Sequence, residues 1–487
     1  MKKVEILRKK YQRFVYESFD WKIIKKNLEI SFSFKIEPNV QFNPKVIIKN
    51  VNENQIKKVG DRVLNNLVFH LGLIELLSYW KVTCSPEILI KAGYLNKEQI
   101  RWWKDLIDRG MGQFFFKNKI NFKKPNFIKI NSAGNFDDRS KRLPIKSVSR
   151  GLTSDMSEIL VPVGGGKDSI MTLELLKNAE KNITCFSLNP TNPVQKIMKI
   201  SDCKKPIIVE RKIDPKLLKL NRQGFLNGHT PFSAYLAFLS VLCAFLFNFK
   251  YIAFSNERSS NEGNLKYLGR IINHQYSKSF DFEQRFRNYS KKYLAKNIEY
   301  FSFLRPLYEI QIAKIFSKHP QYFNAFLSCN EAYKTYSGRR KPTKRWCGKC
   351  PKCLFVFASL YPFVETKKLI KIFGKNLFED KKLLPLALQL IGKKDFKPFE
   401  CVGTKKESLI AFYLSWKKSG GLSSAKLPYL LKYFGEKILT KYQNLAPYRT
   451  CSGAGLEREA KRIMKSWNNR NNLPKGFEKI LKNNIFR

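Results

Sequence analysis

The chain reads as an α/β protein built on a doubly wound parallel sheet, and three observations lead there. Short apolar runs that suit buried strands recur at residues 159–163, 183–188, 206–210 and 251–255, with helical stretches between them. The first of these runs passes directly into a glycine-rich turn and a helix, Leu160-Val161-Pro162-Val163-Gly164-Gly165-Gly166-Lys167-Asp168-Ser169. The longest apolar run, 232–247, lies between Pro231 and Asn248. It falls short of the ~20 residues a membrane span needs and is expected as a buried helix leading into the strand at 251–255. In such a sheet ligands bind at the C-terminal ends of the strands.

The flanking regions differ in pattern. Residues 1–145 are expected as a small α+β domain, a candidate for substrate binding. Leu28, Ile30, Phe32, Phe34 and Ile36 alternate on one strand face, a second strand covers 46–48, and helical periodicity covers 63–80 and 100–107. From 131 to 158 large apolar residues become scarce, which places a boundary there. Residues 146–390 then form the expected catalytic domain. Residues 391–487 read mostly as amphipathic helices, at 409–416 and 425–434, with a basic tail.

With 91 basic against 39 acidic residues in 487, the formal net charge is +52. Such a balance ordinarily points to polyanions. Here the lysines are scattered through every segment and rise together with Asn, Ile, Phe and Tyr, as AT-biased coding produces, so nucleic acid is discounted as a partner and small anionic substrates are favoured. The charged start, Met1-Lys2-Lys3-Val4-Glu5, has no apolar signal-peptide core, so a cytoplasmic protein with no membrane association is expected. Ten cysteines in that setting are expected as thiols, with clustered ones serving metal or catalysis.

The chemistry concentrates in a few segments. Gly164, Gly165 and Gly166 allow backbone N–H groups to approach an anion, and the helix that follows aims its positive end at the same place. The spacing is not that of a Walker loop. Three polar segments follow predicted strands or open the long helix: Asn189 to Asn192, Asn227 to Pro231, and Ser255 to Asn264 with Asn256, Glu257 and Arg258. Cys347, Cys350 and Cys353 fall within seven residues, and Cys329 lies eighteen upstream of the first. Four thiolates suit a closed tetrahedral zinc site, and an iron–sulfur cluster is the alternative. A catalytic acid/base role for one of these thiols or for Cys401 is also open.

The glycine loop resembles the S-G-G-x-D-S pyrophosphate loop of the N-type ATP pyrophosphatases, with Gly164 in place of the first serine. That resemblance implies the adenine nucleotide alpha-hydrolase-like form of the sheet and a nucleotide held by Gly164, Gly165, Gly166, Asn189, Asn256 and Arg258. Taken with Ser255-Asn256-Glu257-Arg258-Ser259, Ser328-Cys329-Asn330, Trp346-Cys347 through Phe357 and Phe399-Glu400-Cys401-Val402-Gly403-Thr404, the loop is similar to the UDP-N-acetylmuramoyl-L-alanyl-L-glutamate epimerases of bacterial peptidoglycan synthesis. The likeness spans roughly residues 155 to 405, and in this family glycine at 164 is expected. It implies ATP- and Mg²⁺-dependent inversion of the terminal L-Glu of a UDP-muramoyl dipeptide through an acyl-adenylate. It also implies pairing in the pathway with a muramyl ligase that adds L-Glu. Lys167 and Ser169 would stabilise departing pyrophosphate and Asp168 would help hold Mg²⁺. Cys401, Glu400, Glu257 and His229 are the candidate proton-transfer groups. An ATP pyrophosphatase that modifies a nucleobase or tRNA is the alternative.

Overall fold

The computed structural model describes residues 3–132, 159–333, 345–421, 426–439 and 453–485. The N-terminal region supplies strands β1 (Arg13–Ile24), β2 (Asn27–Ile36), β3 (Val40–Phe42) and β4 (Lys45–Lys49), helix α1 (Asp61–Glu75), β5 (Glu87–Ile90), helix α2 (Lys97–Gly110) and β6 (Lys129–Ser132). There follow β7 (Ile159–Pro162), α3 (Lys167–Asn178), β8 (Ile183–Leu188), α4 (Asn192–Ile200), β9 (Ile207–Lys212), α5 (Phe232–Phe247) and β10 (Tyr251–Phe254). A small hairpin of β11 (Leu265–Tyr267) and β12 (Arg270–Ile272) precedes α6 (Phe280–Tyr293), β13 (Glu299–Ser302) and α7 (Glu309–Phe316). Helices α8 (Pro351–Leu360) and α9 (Lys405–Lys418) lead into further helices toward the C-terminus.

Among the described residues eleven strands form one sheet in the order β13-β10-β7-β8-β9-β4-β2-β1-β5-β6, with β3 beside β2. The five strands from β13 to β9 are parallel, as expected of a doubly wound sheet. The sheet as a whole is mixed, because β9 pairs antiparallel with β4, and β4, β2 and β1 continue antiparallel before β5 and β6 return to parallel pairing. The N-terminal strands therefore extend the central sheet instead of standing apart from it. Local patterning predicts a strand but not its neighbour, and the β4–β9 joint links residues more than 160 positions apart. The boundary placed at residue 145 lies outside the described residues.

Alternation along the strands sorts side chains onto two faces. Leu160, Phe186, Val209, Ile252 and Tyr300 face a core shared with α1, α5 and α6, while Val161, Cys185, Ala253 and Phe301 face a second core shared with α3, α7, α8 and α9. Helix α5 is apolar on almost every side and buried along most of its length, and it ends at Asn248 in the left-handed conformation. Helix α9 begins with a reciprocal cap between Thr404 and Glu407. The segment expected as a helix at 425–434 contains a helix at Tyr429–Tyr433 that loosens into a π turn over Phe434–Leu439; residue 425 lies outside the described residues. Among the described residues no helix is long and apolar enough to cross a membrane. Cys185 and Cys203, expected as thiols, are joined as a disulfide, since the end of α4 brings their Cα atoms to 6.0 Å.

Helix α1 lies close against β1 and β2 because Gly72 has no side chain. A methyl group there would collide with the Tyr16 hydroxyl and come within 2.9 Å of Phe32, both fully buried. Gly72→Ala is expected to lower the melting temperature in calorimetry. Overpacking of about 1–3 kcal/mol outweighs the helix-propensity gain of up to about 1 kcal/mol.

Candidate active site

The strand order reverses between β7 and β10, since the chain winds one way from β7 through β8 to β9 and then returns to add β10 and β13 on the other side. A crevice at such a switch point is where open α/β sheets place ligands. The glycine loop leaves β7 here, and residues 255–262 leave β10. Gly165 requires glycine, with φ of +86°. Gly164 is exposed with open space around it, and Gly166 faces Ser328, whose Cβ lies 3.4 Å from where a side chain would begin. No side chain caps α3, so the N–H groups of its first turn remain available to an anion. The Ser169 hydroxyl donates to the Gly166 carbonyl at 3.0 Å and stiffens the loop.

Lys167, the first residue of α3, is only 2% exposed. Its ammonium is paired with Asp168 beside it and with Glu309 at the start of α7. Lys352, in the first turn of α8, approaches Glu309 at 3.6 Å. Burial resists charging both partners. The two carboxylates nevertheless hold Lys167 above its ordinary pKa, and Lys167 with Lys352 holds Glu309 down at about 2. Glu257 joins Asp168 and Glu309, with carboxylate oxygens from all three within 4.8 Å of one another. Burial, reinforced by Glu309 and Asp168, pushes the Glu257 carboxyl up to about 7. Three convergent carboxylates with oxygen donors suit a hard divalent cation.

A second pair lies alongside. Lys278 donates to the Cys401 sulfur at 3.3 Å, and Cys401, with Glu257 behind it, keeps that ammonium above its ordinary pKa. The fully buried Arg305 fixes both loops: its guanidinium donates to the Glu257 carbonyl at 2.6 Å, to the Ser260 hydroxyl at 2.8 Å and to the Lys278 carbonyl at 2.5 Å, and it pairs with buried Glu283 at 3.1 Å. The Asn256 amide donates to the Ser302 hydroxyl at 3.1 Å. His229 and His274 lie against each other with ring centroids 4.4 Å apart and planes tilted by 48°; burial lowers both, His229 well below its ordinary value and His274 to about 3, so both are neutral imidazoles. Glu400 accepts from the Asn330 amide.

The four cysteines converge as the spacing suggested. The sulfurs of Cys329 and Cys350 are 3.9 Å apart, those of Cys347 and Cys353 3.7 Å, and those of Cys350 and Cys353 3.5 Å. Four thiolates about 2.3 Å from one tetrahedral ion stand about 3.8 Å from each other. A cubane instead spreads its thiolates over four separate irons and holds them further apart. The donor set therefore fits a single ion. This cluster is tied to the glycine loop, because Leu327 N–H donates to the Gly165 carbonyl at 2.8 Å two residues before Cys329, and Lys352 sits between Cys350 and Cys353.

The other expected nucleotide contacts fall in different places. Asn189 uses its side chain to pair with the backbone of Arg211, at 2.9 and 3.1 Å. A cavity of about 730 Å³ beside the glycine loop is lined instead by Thr191, Asn192, Phe326, Leu327 and Trp346 among others. Arg258 lies over the Tyr308 ring, its guanidinium carbon 4.3 Å from the centroid, in a separate cavity. Glu309, Lys278, Lys352 and Arg305 escaped sequence reasoning; only Lys352, inside the cysteine run, had a signal nearby.

A mixed α/β sheet with a glycine loop and buried ionisable groups at its switch point defines the chain as a ligand-handling α/β protein. The chain belongs to the MurL family: the family's N-terminal domain model matches residues 5–303 and its C-terminal domain model residues 325–426. Proteins named UDP-N-acetyl-alpha-D-muramoyl-L-alanyl-L-glutamate epimerase are similar to it. Those of Micromonospora sp. and Xanthomonas oryzae pv. oryzae are each 33% identical, over 71% and 72% of this chain and 73% and 75% of theirs. That of Salinispora tropica is 33% identical over 72% of this chain and 73% of its own.

The raised Glu257 carboxyl has a consequence for stability. Between the unfolded value of 4.5 and about 7 the folded state holds a proton that the unfolded chain has released. This contribution is full at low pH and is lost as pH rises through 7. Glu257→Gln removes it, so the variant should gain stability relative to the wild type on going from pH 5 to pH 8 in denaturant titrations without added Mg²⁺. Parallel pH profiles for the two proteins would contradict the assignment.

Proposed function

We propose that this protein inverts the α-carbon of the terminal L-Glu of UDP-N-acetylmuramoyl-L-alanyl-L-glutamate, using ATP, in peptidoglycan synthesis. The observation that carries this reading is the Lys167–Asp168–Glu309 cluster at the glycine loop, beside the Lys278–Cys401 pair, in a chain whose relatives bear the name of that epimerase. A free α-carboxylate opposes removal of the neighbouring proton because the carbanion would form beside existing negative charge. Attack of the carboxylate on the α-phosphorus of ATP forms a mixed anhydride and releases pyrophosphate, which cancels that charge. One proton then leaves Cα and one returns on the opposite face. Water cleaves the anhydride to the D-Glu product and AMP.

The residues divide this work. Main-chain donors of the glycine loop and the start of α3 bind the β- and γ-phosphates, and Lys167 exchanges a carboxylate partner for pyrophosphate as it departs. The adenosine end fits the cavity lined by Thr191, Asn192 and Trp346. Asp168, Glu257 and Glu309 would hold Mg²⁺, which supplies charge neutralisation on the phosphates. Cys401 and Lys278 are the assigned proton-transfer pair, since their heavy atoms already lie within hydrogen-bond reach. The neutral His229 is too weak a base to compete.

Two measurements test this. In D₂O with ATP, Mg²⁺ and the UDP-muramoyl-L-Ala-L-Glu substrate, deuterium should enter the glutamyl α-carbon as AMP forms, and Cys401→Ser should slow the exchange by about 10²-fold or more. Equal exchange without ATP would overturn the adenylation step. The cysteine cluster is proposed to hold zinc as a structural ion. Metal analysis should give one zinc per chain, and Cys350→Ser should lower the melting temperature before it alters any one catalytic step. Iron with sulfide, or a stable metal-free protein, would overturn it.

A further inference from the structure

The cavity that receives Arg258 has a volume of about 670 Å³ and is lined in part by the loops that carry the proton-transfer pair. Three guanidinium groups line it: Arg258 over Tyr308 at 4.3 Å, Arg470 over Phe280 at 5.4 Å and Arg109 over Tyr276 at 5.9 Å. Aromatic faces hold such planar cations in fixed orientations without using up their N–H donors. Among the described residues Arg258 and Arg470 have no carboxylate partner, whereas Arg109 is paired with Asp105 at 2.8 Å. Two carboxylates also line the cavity, and both are engaged. Glu262 pairs with Lys397 at 3.2 Å and accepts from the Lys405 N–H at 3.0 Å. Asp281 pairs with Arg285 at 3.0 Å and accepts from the Tyr276 hydroxyl at 2.9 Å. The cavity is therefore left with positive charge and unused bidentate donors facing inward.

Its walls are continuous with the reaction centre. Arg258 follows Glu257, Tyr276 precedes Lys278 by two residues, and Thr404 follows Cys401 by three. Three residues of extended chain span at most about 11 Å, so whatever fills the cavity ends close to the Lys278–Cys401 pair. We propose that this cavity binds the diphosphate and nucleoside end of the substrate, with Arg258 and Arg470 as its phosphate-reading residues. The proposal rests on the reading of the protein as an epimerase of a UDP-linked dipeptide. Two adjoining phosphates match planar, fork-shaped donors better than a single carboxylate does. The two nucleotides of the reaction then occupy separate cavities, ATP at the glycine loop and the UDP moiety behind residues 257–262.

The test uses UDP alone as the probe. In isothermal titration UDP should bind the full-length wild-type protein even with the glycine-loop site saturated by a non-hydrolysable ATP analogue. Arg258→Gln and Arg470→Gln should each weaken that binding by about tenfold or more, the effect of removing one charge-assisted contact. In turnover both variants should raise KM for the UDP-linked dipeptide while leaving KM for ATP as it was. No UDP binding, UDP displaced by the ATP analogue, or UDP bound equally by both variants would each overturn the proposal. UDP binding that is lost in the variants, in a protein that fails to epimerise the dipeptide, would keep this cavity assignment and reject the epimerase reading.

Discussion

The constraint around which the active-site region is organised is the buried ammonium of Lys167. An ammonium this far from water costs several kcal/mol unless carboxylates surround it, and losing one partner of such a pair costs about 3–5 kcal/mol. Its two carboxylate partners come from different elements, and a second ammonium shares one of them. Asp168 is its neighbour on α3, Glu309 opens α7 after the edge strand β13, and Lys352, from the cysteine run, balances the second oxygen of Glu309. Satisfying one charge thus fixes the glycine loop, the end of the parallel sheet and the cysteine cluster relative to one another. Glu257 is the group left over: burial, reinforced by Glu309 and Asp168 beside it, resists its own charge.

Arg305 has the corresponding role a layer further from the crevice. It touches none of the convergent carboxylate oxygens there. By binding the carbonyls of both Glu257 and Lys278 it holds the strand-end loop after β10 against the loop before α6. Its charge is matched by Glu283, itself buried, so the loops rest on an ion pair instead of on apolar packing. Such a support is directional, and this suits a site in which sulfur, ammonium and carboxylate must keep their spacing.

Much of this was legible in the sequence where a local rule applied. The helix at 232–247 has the bounds its apolar run predicts, the alternation at 28–36 is β2, and the glycine loop lies between strand and helix as its composition requires. The four cysteines, recognisable by type and spacing, do meet. Strand β1 was not legible. Phe14, Val15 and Tyr16 are buried in succession, Phe19, Trp21 and Ile23 then alternate with exposed Ser18, Asp20 and Lys22, and the register against β2 shifts between Tyr16 and Ser18, so no single period runs the length of the strand. Strand β13 is only four residues long. Glu309, Lys278 and Arg305 stayed hidden because a single charge among 91 basic and 39 acidic residues has no local mark; only the tertiary fold buries Glu309 and Arg305 and brings Lys278 to Cys401. Asn189 shows the opposite case, a polar strand end at the expected position whose side chain is spent on its neighbour's backbone.

The antiparallel seam between β4 and β9 aligns Lys45 with Lys212, Val46 with Arg211, Ile47 with Glu210 and Ile48 with Val209. Main-chain bonds across that seam make the first fifty residues members of the same sheet as the strands that lead into the glycine loop and residues 255–262. The amino-terminal strands cannot peel away without exposing the edge of β9, so the two halves share one cooperative unit. Amide protons along the seam are then expected to show protection close to the free energy of global unfolding, well above that of local fraying.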